Sequence, residues 1–240
     1  PYATTGSLLY LLTPAWARSG GLKTLFATID DPAGRQKVIE ELKTYTLHYD
    51  RILITSAKMG MIVGRTMAEI AQDAGLFPEE ALIDIVRVNE GRVSIVGRTV
   101  SGKNMARGIE HPLSFAVSDG ETYSEDERNS GNLVHPRCFG SFPHFWHRFV
   151  RDTGTLRPEI AIQKITSGPA LKLGIKDRGA LKKGNFADAA IFDPTLMKDR
   201  ATYRDPFHYA IGMDCVIVNG QSVVVDGACT GNRPGKLLQK

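Results

Sequence analysis

The sequence predicts an α/β fold in two portions, strands alternating with helices up to about residue 172 and a small antiparallel β portion from 173 to 240. Three observations carry this. Compact apolar runs at 51–56, 93–97 and 114–117 are separated by stretches whose apolar residues recur at helical spacing, the signature of βαβ units and a parallel sheet. From Asp177 the period shortens and short β-branched runs follow one another. Two of these runs meet at Asn219-Gly220, the strongest short-range signal for a two-residue hairpin.

The elements follow in order. The chain opens in a Gly/Ser/Thr-rich loop, Pro1 to Ser7, without an initiating Met, and reads as the middle of a longer protein. Thr13-Pro14-Ala15-Trp16-Ala17 and Gly20-Gly21 bracket a short helix. Asp31-Pro32 opens another through Lys43, with Val38, Ile39 and Leu42 on one face. Together these predict a helical insert over 8–48. A strand at 51–56 leads to an amphipathic helix over 65–75 that Gly75 ends. A second helix, 78–89, carries Ala81, Leu82, Ile85 and Val86 on one side. A strand at 93–97, a helix at 102–110 and a strand at 114–117 follow. Three strands are too few to close an eight-stranded barrel. The polar stretch 121–133, with Glu121, Glu125, Asp126 and Glu127, reads either as a flap or as a solvated connection. Helices over 142–151 and 158–167 come next, then short strands at 179–181, 183–188, 189–193 and 215–227.

Composition narrows the class. Three cysteines, Cys138, Cys215 and Cys229, stand far apart with no Cys-x-x-Cys, which argues against a disulfide framework or a zinc ribbon and for a reducing, cytoplasmic setting. No apolar run approaches the roughly 20 residues that span a bilayer, and no leader pattern is seen, so neither membrane nor export is expected. The net charge is +4, but Lys and Arg are scattered among nearly as many acids. No basic stripe is interleaved with stacking aromatics, so nucleic acid is not the expected partner, and the basicity reflects a mixed surface or a site for an anionic substrate. Ser118 lacks a Gly-x-Ser-x-Gly setting. Gly60 and Gly64 do not have the spacing of a phosphate loop.

The chemistry centres on Leu113-Ser114-Phe115-Ala116-Val117-Ser118-Asp119-Gly120. The run delivers one carboxylate, Asp119, to a strand's C-terminal end, the edge that carries catalysis in β/α barrels. Its alternative is an Asp that caps a turn. His135-Pro136-Arg137 follows at once, and Arg137 reads as a carboxylate-binding fork, a helix cap or a partner of a carboxylate in the 121–133 stretch. His144 and His147 are three apart and can share a helix face, but one turn of an aromatic amphipathic helix explains the spacing more simply.

Ser118-Asp119-Gly120, His135-Pro136-Arg137-Cys138-Phe139-Gly140-Ser141-Phe142-Pro143, Lys164-Ile165-Thr166-Ser167-Gly168-Pro169-Ala170, Ala187-Asp188, Phe192-Asp193-Pro194 and Val216-Ile217-Val218-Asn219-Gly220, in this order, resemble the carboxyl-terminal half of the amidohydrolase superfamily. Within it the similarity is greatest to the D-aminoacylase (N-acyl-D-amino-acid deacylase) family. Pro1 to Ser7 and Pro14-Ala15-Trp16-Ala17 resemble that family's loop and insert, so the likeness covers nearly the whole chain.

The resemblance implies a partial (β/α)8 TIM-type barrel over 1–172, with the insert at 8–48, joined to a β-sandwich portion over 173–240. It implies a zinc-dependent hydrolase acting on N-acyl-D-amino acids, with one or two Zn2+. Asp119 is then metal-site carboxylate and general acid/base, Arg137 and Tyr2 hold the substrate carboxylate, and His135 is grouped with them as the residue that shapes their loop. The family's other ligands, including a His-x-His pair, match nothing in this chain, whose six histidines contain no such pair. The expectation is therefore a fragment or split chain, inactive alone, whose partner is the missing N-terminal half of the enzyme; a homo-oligomer is also open. The loop at 121–134 is longer than the family pattern. Competing readings are a cyclic amidohydrolase of the hydantoinase or dihydroorotase kind, and a non-catalytic scaffold with a vestigial site.

Overall fold

A computed structural model describes residues 1–238. Gln239 and Lys240, the end of the expected 173–240 portion, lie outside the described residues. The chain divides into two compact units: Ala3–Val100 with Asp126–His135 form the first, while Pro1–Tyr2, Ser101–Glu125 and the chain from Pro136 onward form the second. No helix among the described residues is long and apolar enough to cross a membrane.

The first unit contains β1 (Thr5–Leu8), α1 (Ala15–Arg18), α2 (Leu22–Asp30), α3 (Pro32–Thr44), β2 (Ile52–Ala57), α4 (Met67–Ala74), α5 (Pro78–Val88) and β3 (Val93–Gly97). Local chemistry sets the helix ends. The Asp31 carboxylate accepts from the Gly34 amide at 2.8 Å ahead of Pro32, and Thr66 and Glu69 close a reciprocal capping box on α4. Gly75 turns left-handed at φ 64° to end α4. Val38, Ile39 and Leu42 of α3 and Leu82, Ile85 and Val86 of α5 bury against Ile52, Ile54, Val93 and Ile95 of the sheet. Each fully buried aliphatic contributes about 1.5–3 kcal/mol of transfer free energy, so this core dominates the unit's stability.

The sheet runs in the order β1-β3-β2, with both pairings antiparallel. This corrects the parallel sheet expected from strand–helix alternation. One crossover helix returns the chain to a parallel strand, but α4 and α5 reverse it twice, so β3 meets β2 head to tail. β1, read from the sequence as loop, is an edge strand whose Thr, Gly and Ser leave no apolar alternation to read.

The second unit contains α6 (Gly102–Glu110), α7 (Arg137–Trp146) continued by a π-helical turn (His147–Asp152), α8 (Pro158–Ile165), α9 (Ser167–Leu173), then β4 (Ala189–Phe192), β5 (Met213–Val218), β6 (Gln221–Val225) and β7 (Ala228–Cys229). The strands form an antiparallel sheet in sequence order. The expected hairpin is present: Asn219 and Gly220 take φ 47° and 78° between paired Val218 and Gln221, as a primed turn requires. Residues 179–181 and 183–188, expected as strands, contain no strand. Arg178 instead pairs with Asp188, whose other oxygen accepts the Asn219 amide at 2.8 Å and so ties the turn to the start of β4. A small core of Ala116, Phe145, Phe149, Leu156 and Ala161 lies among the helices.

One further correction concerns the segment on which the site depends. Residues 114–117 make no ladder and 114–124 carry no regular structure. A strand needs a neighbour whose backbone groups complement its own, and none of the described strands pairs with this segment.

Candidate functional site

Side chains hold the 111–120 segment where a ladder would otherwise do so. Lys164, 5% exposed, donates to the His111 carbonyl at 2.6 Å, the Ser114 carbonyl at 2.9 Å and Ser114 Oγ at 3.0 Å. Burial lowers its pKa, and these three acceptors take its three protons in place of water. The Ala116 amide donates to the Lys164 carbonyl at 3.3 Å. Phe115 lies so close to Gly168 that a Cβ there would stand 2.8 Å from its ring. Gly120 packs onto the start of α7, where a Cβ would meet the Arg137 carbonyl oxygen and Cys138 Cα at 3.0 Å. This close approach explains the glycine of Ser118-Asp119-Gly120.

Asp119 is consequently delivered to Arg137. Its Oδ2 lies 3.0 Å from Arg137 Nη1 as an ion pair, with the aspartate side chain 79% and the arginine 26% exposed. Asp119 has φ 48°, a left-handed conformation that costs a non-glycine residue energy and recurs at functional sites. Arg137 thus pairs with Asp119, which lies outside the 121–133 stretch. His135 is 7% exposed, and its Nε2 lies 2.7 Å from Thr4 Oγ1, both residues belonging to the first unit.

Tyr2 belongs to a second constellation. Its hydroxyl donates to Asp199 Oδ2 at 2.9 Å, and its ring stacks on His144 with centroids 4.2 Å apart. Asp199 Oδ2 also faces His144 Nδ1 at 3.2 Å, and Oδ1 faces His147 Nε2 at 2.5 Å. His147 Nδ1 lies 3.2 Å from Asp152 Oδ2. Burial pushes the Asp199 carboxyl up, but hydrogen bonds from His144, Tyr2 and His147 and the charge of His144 outweigh it and hold the pKa at about 2. Burial first, and then Asp199, drive the Tyr2 phenol well above its ordinary value. The arrangement follows from local structure. Pro143 lies within α7 and the π-helical turn begins at His147, so His144 and His147 face the same way. The Asp199 segment is fastened to this helix by Trp146 Nε1 on the Pro194 carbonyl at 3.0 Å and by Arg151 Nη1 on the Thr195 and Met197 carbonyls at 2.9 and 3.0 Å. Gly140 makes room: a Cβ there would stand 2.6 Å from Asp199 Cβ and 2.7 Å from the Tyr2 hydroxyl.

Sequence reasoning noted the His144/His147 spacing but not Asp199, which lies 52 residues beyond His147 and is brought to it by tertiary structure. The local signal was the Asp193-Pro194 turn ahead of it, where Asp193 Oδ1 accepts the Thr195 and Leu196 amides at 2.7 and 3.2 Å.

These residues differ in their fit to a metal. Among the described residues no group of three or more His, Cys, Asp or Glu donors includes Asp119. A catalytic zinc normally takes about three protein ligands, so Asp119 does not make a zinc site with the other described residues. His144, His147 and Asp199 do bring three donor atoms together, within 4.8 Å of one another.

Comparison with known proteins agrees with the motifs. Over 106 residues, 44% of the chain, it is 39% identical to the D-aminoacylase of Alcaligenes xylosoxydans xylosoxydans, of which this covers 22%. Over 190 residues, 78% of the chain, it is 33% identical to the N-acyl-D-aspartate deacylase of the same organism, covering 36% of it. The N-acyl-D-glutamate deacylase of Bordetella bronchiseptica, solved with zinc and a phosphonate mimic of the tetrahedral intermediate, superposes with a TM-score of 0.68 at 25% identity, over 93% of this chain and 38% of that one. The chain thus spans between 22% and 36% of the length of these two curated relatives. Residues 15–224 match the amidohydrolase family, and the chain belongs to it.

Proposed function

We propose that this chain forms part of a zinc-dependent hydrolase that removes the acyl group from N-acyl-D-amino acids. The observation that carries the reading is the Asp119–Arg137 pair, held together by the close approach of Gly120 to α7. Asp119 is the general acid/base, taking a proton from the attacking water and returning it to the leaving amine. Asp119 is also a metal-site carboxylate, with the remaining zinc ligands outside this chain; bound zinc contributes Lewis acidity at the scissile carbonyl.

Arg137 binds the substrate's α-carboxylate. A guanidinium fork suits two carboxylate oxygens, and its present partner is itself a carboxylate. With Asp119 79% exposed, the pair contributes at most about 1 kcal/mol, so a substrate carboxylate exchanges for Asp119 at small cost. Exchange would leave Asp119 free for proton transfer. By the family resemblance Tyr2 contributes to the same contact, for which its hydroxyl would have to leave Asp199 Oδ2, and His135 shapes the loop that precedes Arg137.

In this reading residues 1–172 hold the C-terminal part of a (β/α)8 barrel, with the antiparallel sheet β1-β3-β2 standing apart from the barrel's parallel strands in an insert larger than 8–48, and 173–240 form a β-sandwich portion. The 113–117 segment supports it. Leu113, Phe115 and Val117, on alternate positions, are 83%, 38% and 63% exposed, as expected of a barrel strand whose neighbours belong to the rest of the enzyme. Cys138, Cys215 and Cys229 are free thiols, in keeping with a cytoplasmic enzyme.

The test is turnover by the whole enzyme. N-acetyl-D-methionine should be hydrolysed and dihydropyrimidines should not; hydrolysis of the ring substrate alone would replace the deacylase with a cyclic amidohydrolase. Arg137→Ala should raise KM for carboxylate-bearing substrates and spare neutral amides. An equal loss on both would make Arg137 structural.

A further inference from the structure

We propose that His144, His147 and Asp199 form a binding site for one zinc-class divalent cation. The ligand atoms are His144 Nδ1, His147 Nε2 and an Asp199 carboxylate oxygen, all within 4.8 Å of one another. Two imidazoles and a carboxylate suit Zn2+ or Co2+ and do not suit Mg2+ or Ca2+, which prefer all-oxygen shells. The shell is enclosed: the His144, His147 and Asp199 side chains are 21%, 11% and 9% exposed.

The groups behind these ligands strengthen the assignment. Asp152 stands 3.2 Å from His147 Nδ1, on the side of the ring away from Asp199, and is itself held by Arg151 Nε at 2.9 Å. A carboxylate on the non-ligating nitrogen orients the ring, and a metal at Nε2 would take the place of the hydrogen bond between Nε2 and Asp199 Oδ1. The Tyr2 hydroxyl occupies Asp199 Oδ2 and its ring covers His144, which orients both ligands. Charge points the same way. Asp199 brings to the cluster a carboxylate that is only 9% exposed and that a divalent cation would neutralise. Bound there, the ion fastens Tyr2, the end of α7 and the Asp199 segment to one another. Three protein donors leave a fourth position for water.

The experiment is Co2+ and Zn2+ titration of the metal-stripped 240-residue chain. One saturable equivalent is expected, with a visible Co2+ spectrum that lacks a thiolate band. His144→Gln and His147→Gln should each weaken affinity about 100-fold, and Asp152→Asn about 10-fold. Proton NMR of the Co2+-loaded wild-type chain should show paramagnetically shifted signals from two imidazoles, a result that needs no variant to fold. Absence of a saturable equivalent, shifted signals from any other number of imidazoles, or wild-type affinity in folded His147→Gln overturns the site.

Discussion

The segment 113–120 and the hairpin β5–β6 start from similar material, short apolar runs that end in a turn, and reach different states. Asn219 and Gly220 allow β5 to find its partner three residues on, so the hairpin's backbone bonds are met locally. The 113–120 segment has the same alternation but pairs with none of the described strands. Lys164 supplies the hydrogen bonds, Phe115 and Gly120 the close packing, and an apolar face stays exposed. An apolar run records that a segment suits a strand; whether it becomes one depends on what lies beside it.

Lys164→Met should separate the two regions most sharply. The isosteric change removes all three donors and leaves the Ser114 and His111 carbonyls short of partners. Urea unfolding of this chain should show a loss of about 2–4 kcal/mol, and hydrogen exchange should rise over 111–120 while β5 and β6 keep their protection. Unchanged stability would mean that the segment is held by packing alone.

Gly120→Ala comes next. The added methyl meets backbone atoms at 3.0 Å, which cannot swing away as a side-chain end can. The loop must lift from α7, at about 1–3 kcal/mol, and carry Asp119 away from Arg137. In the whole enzyme kcat should fall more than the stability loss explains; wild-type kcat would remove the Gly120 contact from the account of the site.

The hairpin has its own test in acid. The Asp188 carboxyl is held below its ordinary value: burial opposes ionisation, but the Asn219 amide and Arg178 outweigh it. A depressed folded-state pKa means the stabilisation is complete above the unfolded value of about 3.9 and is lost as pH falls through the lower one. At pH 7 Asp188→Asn should cost on the order of 1 kcal/mol, a difference that fades below about pH 4. A penalty constant with pH would show that the contact does not depend on the charge.

What was legible in the sequence divides along the same line. Helix ends with local chemistry, Asp31-Pro32, Thr66 with Glu69, and Gly75, were readable, as was Asn219-Gly220, because each is decided within about four residues. The antiparallel order of β2 and β3 was not, because it depends on two helices lying between them. Asp119 and Arg137 were legible as motif residues; that they pair was not, because the glycine's clearance from α7 is a tertiary fact. Asp199 was least legible: one aspartate among many acids, given meaning by His144, His147 and Tyr2.

The smallest effect tests the largest claim. Val117→Ser changes a side chain that is 63% exposed and distant in kind from any buried core position. In this chain it should alter stability by less than about 0.5 kcal/mol, as surface substitutions do. If residues 113–117 are a barrel strand whose apolar face the rest of the enzyme covers, the same change in the whole protein removes a buried side chain, and should lower stability by about 1–3 kcal/mol. Thermal unfolding of both variants, compared as a difference between chain and whole enzyme, measures the burial at that one position. Equal effects in the two contexts would mean that this face meets solvent in both, and the partial-barrel reading would lose its support at the segment that carries Asp119.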